Sequence, residues 1–381
     1  MNEAPHAAPK SRARMGLCLA GGGIAGGLYS VGCLAALEEA FDGLSASDFD
    51  VIVATSTGAS VALPVAAGFP ATRLYRALLD PSDDFFALQR NHLMRFDFLE
   101  LRRMGLTGMG AFRRLLSNAT ANPLEVDLWA ELDRFYDSLP AGLFTLDAYE
   151  RFLGEFVERR AIAKTLRGFG GKLLLVASDL DASERVILGA GELVDIETAR
   201  AVVAATAFPP LFAPVRVGER DLIDGGLGDV AHADVAQEAG AKLIVVIHAG
   251  VPIKTDPRAR DVPTGHGKGK RVRDKGMLWV MNQAWSIRTQ PRFERGFARF
   301  REEHPDVDIH LFEPDRADAK MFLYSPMSFA ARRAILEDGY RTTLRSVRRE
   351  DSPLRQALVA QGYGVKAMDP NTLRPPSHIQ P

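Results

Sequence analysis

Residues 17–35 read LCLAGGGIAGGLYSVGCLA. The apolar run Leu17–Ala20 has the length of a short buried strand. After the glycines, Leu28, Val31, Leu34 and Ala35 recur at the spacing of one helix face. A strand that passes through glycines straight into a helix is the opening unit of an α/β fold. The helix is expected from about Gly27 to Phe41, with Gly43 ending it. Inside the turn, Gly21-Gly22-Gly23-Ile24-Ala25-Gly26 fits G-x-G-x-x-G, the spacing of a dinucleotide-binding loop. Whether its bare amides face a pyrophosphate or another anion depends on what the rest of the chain supplies.

The alternation continues. Asp50–Ala54 reads as a second strand followed at once by a small-residue helix, and Lys172–Ser178 and Lys242–His248 read as buried strands. Asp308–Phe312 is a further strand, and Val215–Asp224 a short hairpin turning at Gly218-Glu219. The pattern predicts a three-layer α/β/α sandwich with a mostly parallel central sheet. Residues 15–350 are expected to form one domain, with flexible tails at 1–14 and 371–381. Residues 70–165, with helical periodicity and almost no strand signal, read as a helical insertion. Residues 254–275, rich in Lys, Arg, Gly and Pro, read as a mobile basic loop. The uncharged stretch Val51–Phe69 is long enough for a membrane span, but its glycines, proline and hydroxyls break it into a strand and a buried helix.

The chain has 381 residues, 46% of them hydrophobic, and a net charge of −1, which gives no global attraction to nucleic acid or an anionic membrane, so any such attraction must come from a local patch. Its two cysteines, Cys18 and Cys33, fall on the first strand and the first helix, where reduced core thiols and a cytoplasmic setting are expected.

Chemistry points to the second strand, which ends in VATSTGAS. Ser56 stands at the strand-to-helix junction, with Ala54 two residues before it and Gly58 two after: a nucleophile elbow with Ala in the first glycine position. Such a bend projects the hydroxyl above the carboxyl edge of the sheet, at a helix N-terminus. Ser60 lies a turn inside the helix, and a plain helix cap is the simpler use of Ser-Thr-Gly. No histidine sits as a partner base should. His92 is in the insertion, His232 reads as a surface or helix-facing residue, and His248 ends a buried strand. His266 is in the basic loop, His304 and His310 flank or enter a late strand, and His378 is in the tail. A carboxylate is better placed: Asp224 ends a strand and is followed by Gly225 and Gly226, which let the chain turn so that the carboxylate faces the sheet edge. A serine bonded to a positioned carboxylate can lose its proton without an imidazole.

Taken in order, LAGGGIAGGLYSVGCL, the Ser56 elbow, AVVAATAFPPLFAPV and LIDGG resemble the patatin-like phospholipases over about residues 15–250. The resemblance implies a sandwich fold related to the acyl carrier protein transacylases and a Ser-Asp dyad that cleaves fatty-acyl esters of (phospho)lipids through an acyl-enzyme. Carried onto this chain, the nucleophile is Ser56, the base Asp224, and the oxyanion donors the backbone amides of Gly22, Gly23 and Ile24. Gly21, Gly26, Ala54, Gly58, Gly225 and Gly226 shape the loops. It implies a lipid acyl-ester substrate and no cofactor. Two positions depart from the family pattern: Ala25 replaces the usual Arg or Lys, and Ala54 the usual Gly.

The dinucleotide reading lacks the acidic residue expected at the end of the second strand, where Ala54-Thr55-Ser56 stands instead. Asp179, Asp181, Asp221, Asp224 and Asp229 have no His or Cys at ligand spacing, so no metal is expected. A non-enzymatic alternative is a weak or inactive relative that binds lipid or a protein. For the substrate, Phe85, Phe86, Leu88, Leu93, Met94, Phe96, Phe98 and Leu99 suggest an acyl groove or a bilayer contact, or else simple packing of the insertion. With the basic loop they suggest transient contact with a membrane surface.

Overall fold

The computed structural model describes residues 12–80, 82–93, 133, 137, 140–259, 262–264, 267–316, 322–325 and 328–367. In chain order the first part comprises β1 (Met15–Leu19), α1 (Gly23–Ala40), β2 (Phe41–Asp42), β3 (Val51–Ala54), α2 (Thr57–Ala66), α3 (Ala71–Leu79), α4 (Arg90–Leu93) and α5 (Asp147–Arg159). The middle holds β4 (Leu173–Asp179), β5 (Glu184–Leu188), α6 (Thr198–Thr206), β6 (Val215–Val217), β7 (Arg220–Asp224), α7 (Ala233–Glu238) and β8 (Leu243–Ile247). Then come β9 (Val262–Thr264), β10 (Gly267–Gly269), α8 (Met277–Glu303), β11 (Asp308–Phe312), α9 (Phe329–Arg348), α10 (Pro353–Ala360) and β12 (Gly364–Val365).

The main sheet runs β11-β8-β1-β3-β4-β7-β6, with β5 also paired to β4. From β11 to β4 every pairing is parallel, and β4–β7, β6–β7 and β4–β5 are antiparallel. Successive residues of a strand point to opposite faces, so strands buried on both sides feed two separate cores. Leu17, Leu19, Ile52, Ala54, Leu175, Val245 and Ile247 enter one core, with α1, α2, α3, α5, α6 and α9. Cys18, Val51, Val53, Val176, Ile244 and Val246 enter the other, with α7 and the second half of α8. These are the three layers the alternating pattern predicts. Both cysteines are free and buried, and burial holds their thiols protonated, that of Cys33 at about 12.

Two expectations change. The first helix starts at Gly23, not near Gly27, so the glycine loop is its own N-terminus. That helix is buried almost all round rather than on one face, because α9 covers the side away from the sheet. Gly32 and Gly339 make that crossing close: a Cβ on either would overlap a backbone carbonyl of the other helix, Leu336 or Tyr29. Within the basic loop, β9 and β10 form a hairpin followed by a short 3-10 turn, Val272–Lys275. Of the insertion's apolar residues, Phe85 and Leu93 are buried and Phe86 and Leu88 pack against the core, so packing accounts for these four. Met94, Phe96, Phe98 and Leu99 lie outside the described residues, as do His266, His378 and residues 371–381.

Val51–Phe69 resolves into β3 and α2, and among the described residues no helix is long and apolar enough to cross a membrane.

Candidate active site

Parallel strands deliver their following loops to one edge of a sheet. At this edge β1 leads into the glycine loop, β3 into Ser56 and β8 into His248–Gly250. Register brings Asp224 to the same edge. Ala54 pairs with Leu175, and Ala177, two residues further along β4, is the partner of Asp224, so the end of β3 that leads into Ser56 lies across β4 from Asp224.

Ser56 occupies a bend that a side chain rarely tolerates, with φ 54° and ψ −141°. Three contacts hold it there. Its N–H donates to Ala205 O at 2.7 Å, and its own carbonyl lies 3.1 Å from Thr206 Oγ1, whose single proton it shares with Val202 O at 2.6 Å. Just before it, Thr55 N–H donates to Leu19 O at 3.1 Å. Gly58 lets α2 leave the bend, because a Cβ there would overlap the Leu19 carbonyl oxygen. Ala54 is fully in the core, and its methyl group is accommodated there. Ser60 sits a turn inside α2, its hydroxyl 2.5 Å from Tyr149 OH.

Asp224 is buried, and its two oxygens differ. Oδ1 accepts the Gly226 N–H at 2.8 Å and lies 3.5 Å from Thr55 Oγ1. Oδ2 has no partner of full hydrogen-bonding geometry among the described residues. The Ser56 hydroxyl is nevertheless close enough to favour the charged carboxylate, so the pair is adjacent without being locked. Burial dominates and pushes the Asp224 pKa up to about 6, against the opposing pull of Gly226, Ser56 and Thr55. Gly225 and Gly226 serve different needs. Gly226 takes a left-handed φ of 65°, whereas a Cβ on Gly225 would lie 2.6 Å from Val176 O. The backbone N–H of Asp224 donates to Ala207 O at 3.0 Å. One helix end, Ala205-Thr206-Ala207, therefore grips both Ser56 and Asp224.

The glycine loop closes the third side. Gly21, Gly22 and Gly23 all have positive φ, and a Cβ on Gly21 would come 2.5 Å from Ser56 Cβ. Gly22 and Gly23 are exposed and Ile24 is half-buried, at the N-terminus of α1, where helix geometry leaves the first amides without partners inside the helix. Gly26 N–H donates back to Gly22 O at 3.1 Å, and Thr57 Oγ1 to Gly23 O at 2.6 Å, tying the loop to the elbow helix. Ala25 is buried in the first turn of α1.

The histidines buttress these loops. His232 is 2% exposed, where the sequence suggests a surface or helix-facing residue, and its Nε2 lies 3.1 Å from Gly226 O. Burial lowers its pKa to about 4, so the neutral ring donates Nε2–H to that carbonyl. The correction has a local cause: His232 takes a left-handed φ of 59° as the N-cap of α7, which turns the ring inward. His248, likewise lowered to about 4 by burial, accepts from Gly250 N–H at 3.4 Å. Gly250 in turn backs Gly22, where a Cβ would approach its nitrogen to 2.9 Å. Among the described residues neither imidazole hydrogen-bonds Ser56 or Asp224.

A Patatin-like phospholipase family model matches residues 17–236, a segment that holds all three walls of the site. The chain belongs to the patatin-like phospholipase family. No curated protein matches the chain in sequence. Among solved structures, this patatin-like chain is similar to VipD from Legionella pneumophila, at 16% identity and a TM-score of 0.37, covering 88% of this chain and 66% of VipD. It is similar also to the type III effector protein ExoU, at 15% identity and a TM-score of 0.30, covering 88% of this chain and 64% of ExoU. An ExoU structure in complex with SpcU, from Pseudomonas aeruginosa, matches at 15% identity and a TM-score of 0.29, over 94% of this chain and 76% of the other. The chain thus spans just under two thirds of the first two proteins.

Proposed function

We propose that the protein is a serine acyl hydrolase that cleaves fatty-acyl esters of (phospho)lipids by a Ser56–Asp224 dyad. The observation that carries this reading is that Ser56, on its strained bend, adjoins the buried Asp224 across the end of β4.

Asp224 Oδ2 takes the Ser56 proton as Oγ attacks the ester carbonyl carbon, and the carbonyl oxygen becomes an oxyanion. The amides of Gly22, Gly23 and Ile24 receive that charge at the positive end of α1. As the tetrahedral species collapses, the bond to the alcohol breaks and Asp224 returns its proton to the leaving oxygen, which leaves the acyl group on Ser56. Water then enters, gives a proton to Asp224 and attacks the acyl carbon; the fatty acid departs and Oγ regains its proton. A base with a pKa raised to about 6 suits this cycle. It is ionised at neutral pH, yet far more basic than an ordinary aspartate. Ala25 leaves the donors in place, because they are backbone groups. The two buried free thiols fit a cytoplasmic setting.

The test is labelling by a fluorophosphonate, which reacts with activated serines. Wild-type protein is expected to label, and Ser56→Ala and Asp224→Asn not to. A folded wild-type protein that stays unlabelled would sink the hydrolase in favour of an inactive lipid- or protein-binding relative.

A further inference from the structure

Helix α8 changes character along its length. In its second half Phe293, Phe297 and Phe300 are buried against the sheet, and the outward positions Arg292, Arg295, Arg299 and Glu303 are charged. In its first three turns the outward positions, apart from Asn282, are apolar instead. Met277 is 69% exposed, Trp285 53% and Ile287 54%, with Leu278, Val280 and Met281 also exposed. At 3.6 residues per turn these side chains fan over the side opposite the stripe of Trp279, Gln283, Ser286 and Gln290, which faces the protein. Singly exposed apolar residues need no explanation, but a contiguous face of this kind marks an interaction surface.

The flanks say what kind of surface. Between Gly267 and Phe293 the single acidic residue is Asp274, and it is engaged by the backbone N–H groups of Lys270 and Arg271. Lys270, Arg271 and Arg273 are exposed just before the helix, and Arg288 follows at the end of the apolar face. The basic segment is fixed to the helix base, since Lys275 lies over the Trp279 ring at 4.6 Å and donates to Pro263 O at 2.6 Å. Apolar side chains bordered by cations suit a lipid surface with anionic headgroups. The face also reaches the site. Trp285 meets Phe208 edge-on at 6.4 Å, and Phe208 directly follows Ala207, whose carbonyl holds Asp224.

We infer that the first three turns of α8, with the basic segment Lys270–Arg273, form the surface that seats the protein on an anionic bilayer beside the Ser56 cleft. The apolar side chains enter the interfacial layer, the cations meet the headgroups, and a lipid leaving the bilayer has an apolar path past Trp285 and Phe208. The inference rests on the proposed reading of the site for its purpose, and binding can be measured without turnover.

The experiment is flotation of the full-length Ser56→Ala protein with vesicles of phosphatidylcholine, either pure or with about one third phosphatidylglycerol. Binding is expected with the anionic vesicles and is expected to fall about tenfold or more in two further variants, M277S/L278S/M281S and K270A/R271A/R273A. All the altered side chains are exposed, and circular dichroism checks the fold. Vesicle binding unchanged in both variants would overturn the inference. So would a protein that ignores vesicles but self-associates through this face, seen by ultracentrifugation as a dimer lost in M277S/L278S/M281S. Hydrolysis of a soluble short-chain ester by protein with Ser56 intact is assayed separately. Its absence would count against the dyad reading alone, and flotation would still decide the docking surface.

Discussion

Replacing Asp224 by Asn is expected to stabilise the protein at neutral pH while abolishing its activity. Asp224 is 7% exposed, and burial is the largest cause of a pKa raised from 3.8 to about 6. Between those values the folded state keeps a proton that the unfolded chain has lost. The group's contribution is therefore fully present below pH 3.8, declines as pH rises, and is gone once pH passes about 6. A gap of roughly two pH units, at about 1.4 kcal/mol each, amounts to about 3 kcal/mol at pH 8 and about half of that at pH 5. Asparagine preserves the shape. Its Oδ1 accepts the Gly226 N–H as the carboxylate does at 2.8 Å, and its amide stands beside the Ser56 hydroxyl, which can accept from it. Urea unfolding of both proteins at the two pH values measures the difference, which should be about 3 kcal/mol in favour of Asn at pH 8 and about 1.5 kcal/mol at pH 5. An Asn protein no more stable than wild type at pH 8, or a gain that fails to shrink towards pH 5, would refute this account of Asp224.

Ester hydrolysis by the wild type should rise as pH passes through about 6 and then level off, because the base works only when ionised; a pH profile of kcat/KM tests this. Gly21→Ala sets a Cβ 2.5 Å from Ser56 Cβ at a φ of 73°, so fluorophosphonate labelling should fall by about a hundredfold or more while far-UV circular dichroism is unchanged. Thr206→Val removes the hydroxyl shared between Ser56 O and Val202 O; a loss of about 1 kcal/mol in urea unfolding and about tenfold in kcat, with little change in KM, is expected.

The central strands were legible because they are buried on both faces. Residues 173–177 and 243–247 are unbroken apolar runs, and no surface requirement blurs them. Ser56 and Asp224 were legible as punctuation, a serine at a strand-to-helix junction and an aspartate before two glycines. The sequence does not carry their adjacency, which depends on β7 running antiparallel to β4 with Asp224 opposite Ala177. Thr206 and His232 escape for the same reason. Thr206 looks like any small residue in a buried helix, and it reaches a carbonyl 150 positions away. His232 precedes a helical pattern, and only its left-handed backbone turns the ring toward Gly226. The glycines of the α1 loop show the opposite bias. Their spacing suggested a nucleotide, yet G-x-G-x-x-G reports a sharp turn and exposed amides and is silent on which anion they face.

Two features of the site are costly for the fold and useful for the chemistry. The positive φ at Ser56 carries roughly 1–3 kcal/mol of strain, and ionising the buried Asp224 costs about 3 kcal/mol above its unfolded reference. Together they are a large fraction of the roughly 5–15 kcal/mol by which a domain is usually stable. They persist because both residues are held by backbone contacts that they cannot leave singly. Ser56 N–H, Ser56 O and Asp224 N–H all bond to Ala205–Ala207, at the end of a helix whose residues 201–205 are wholly buried. Moving either residue breaks bonds at a helix end anchored in the core, so the strain cannot relax locally. In the proposed dyad, burial supplies the basicity that a histidine would bring, and the shared helix end supplies the positioning.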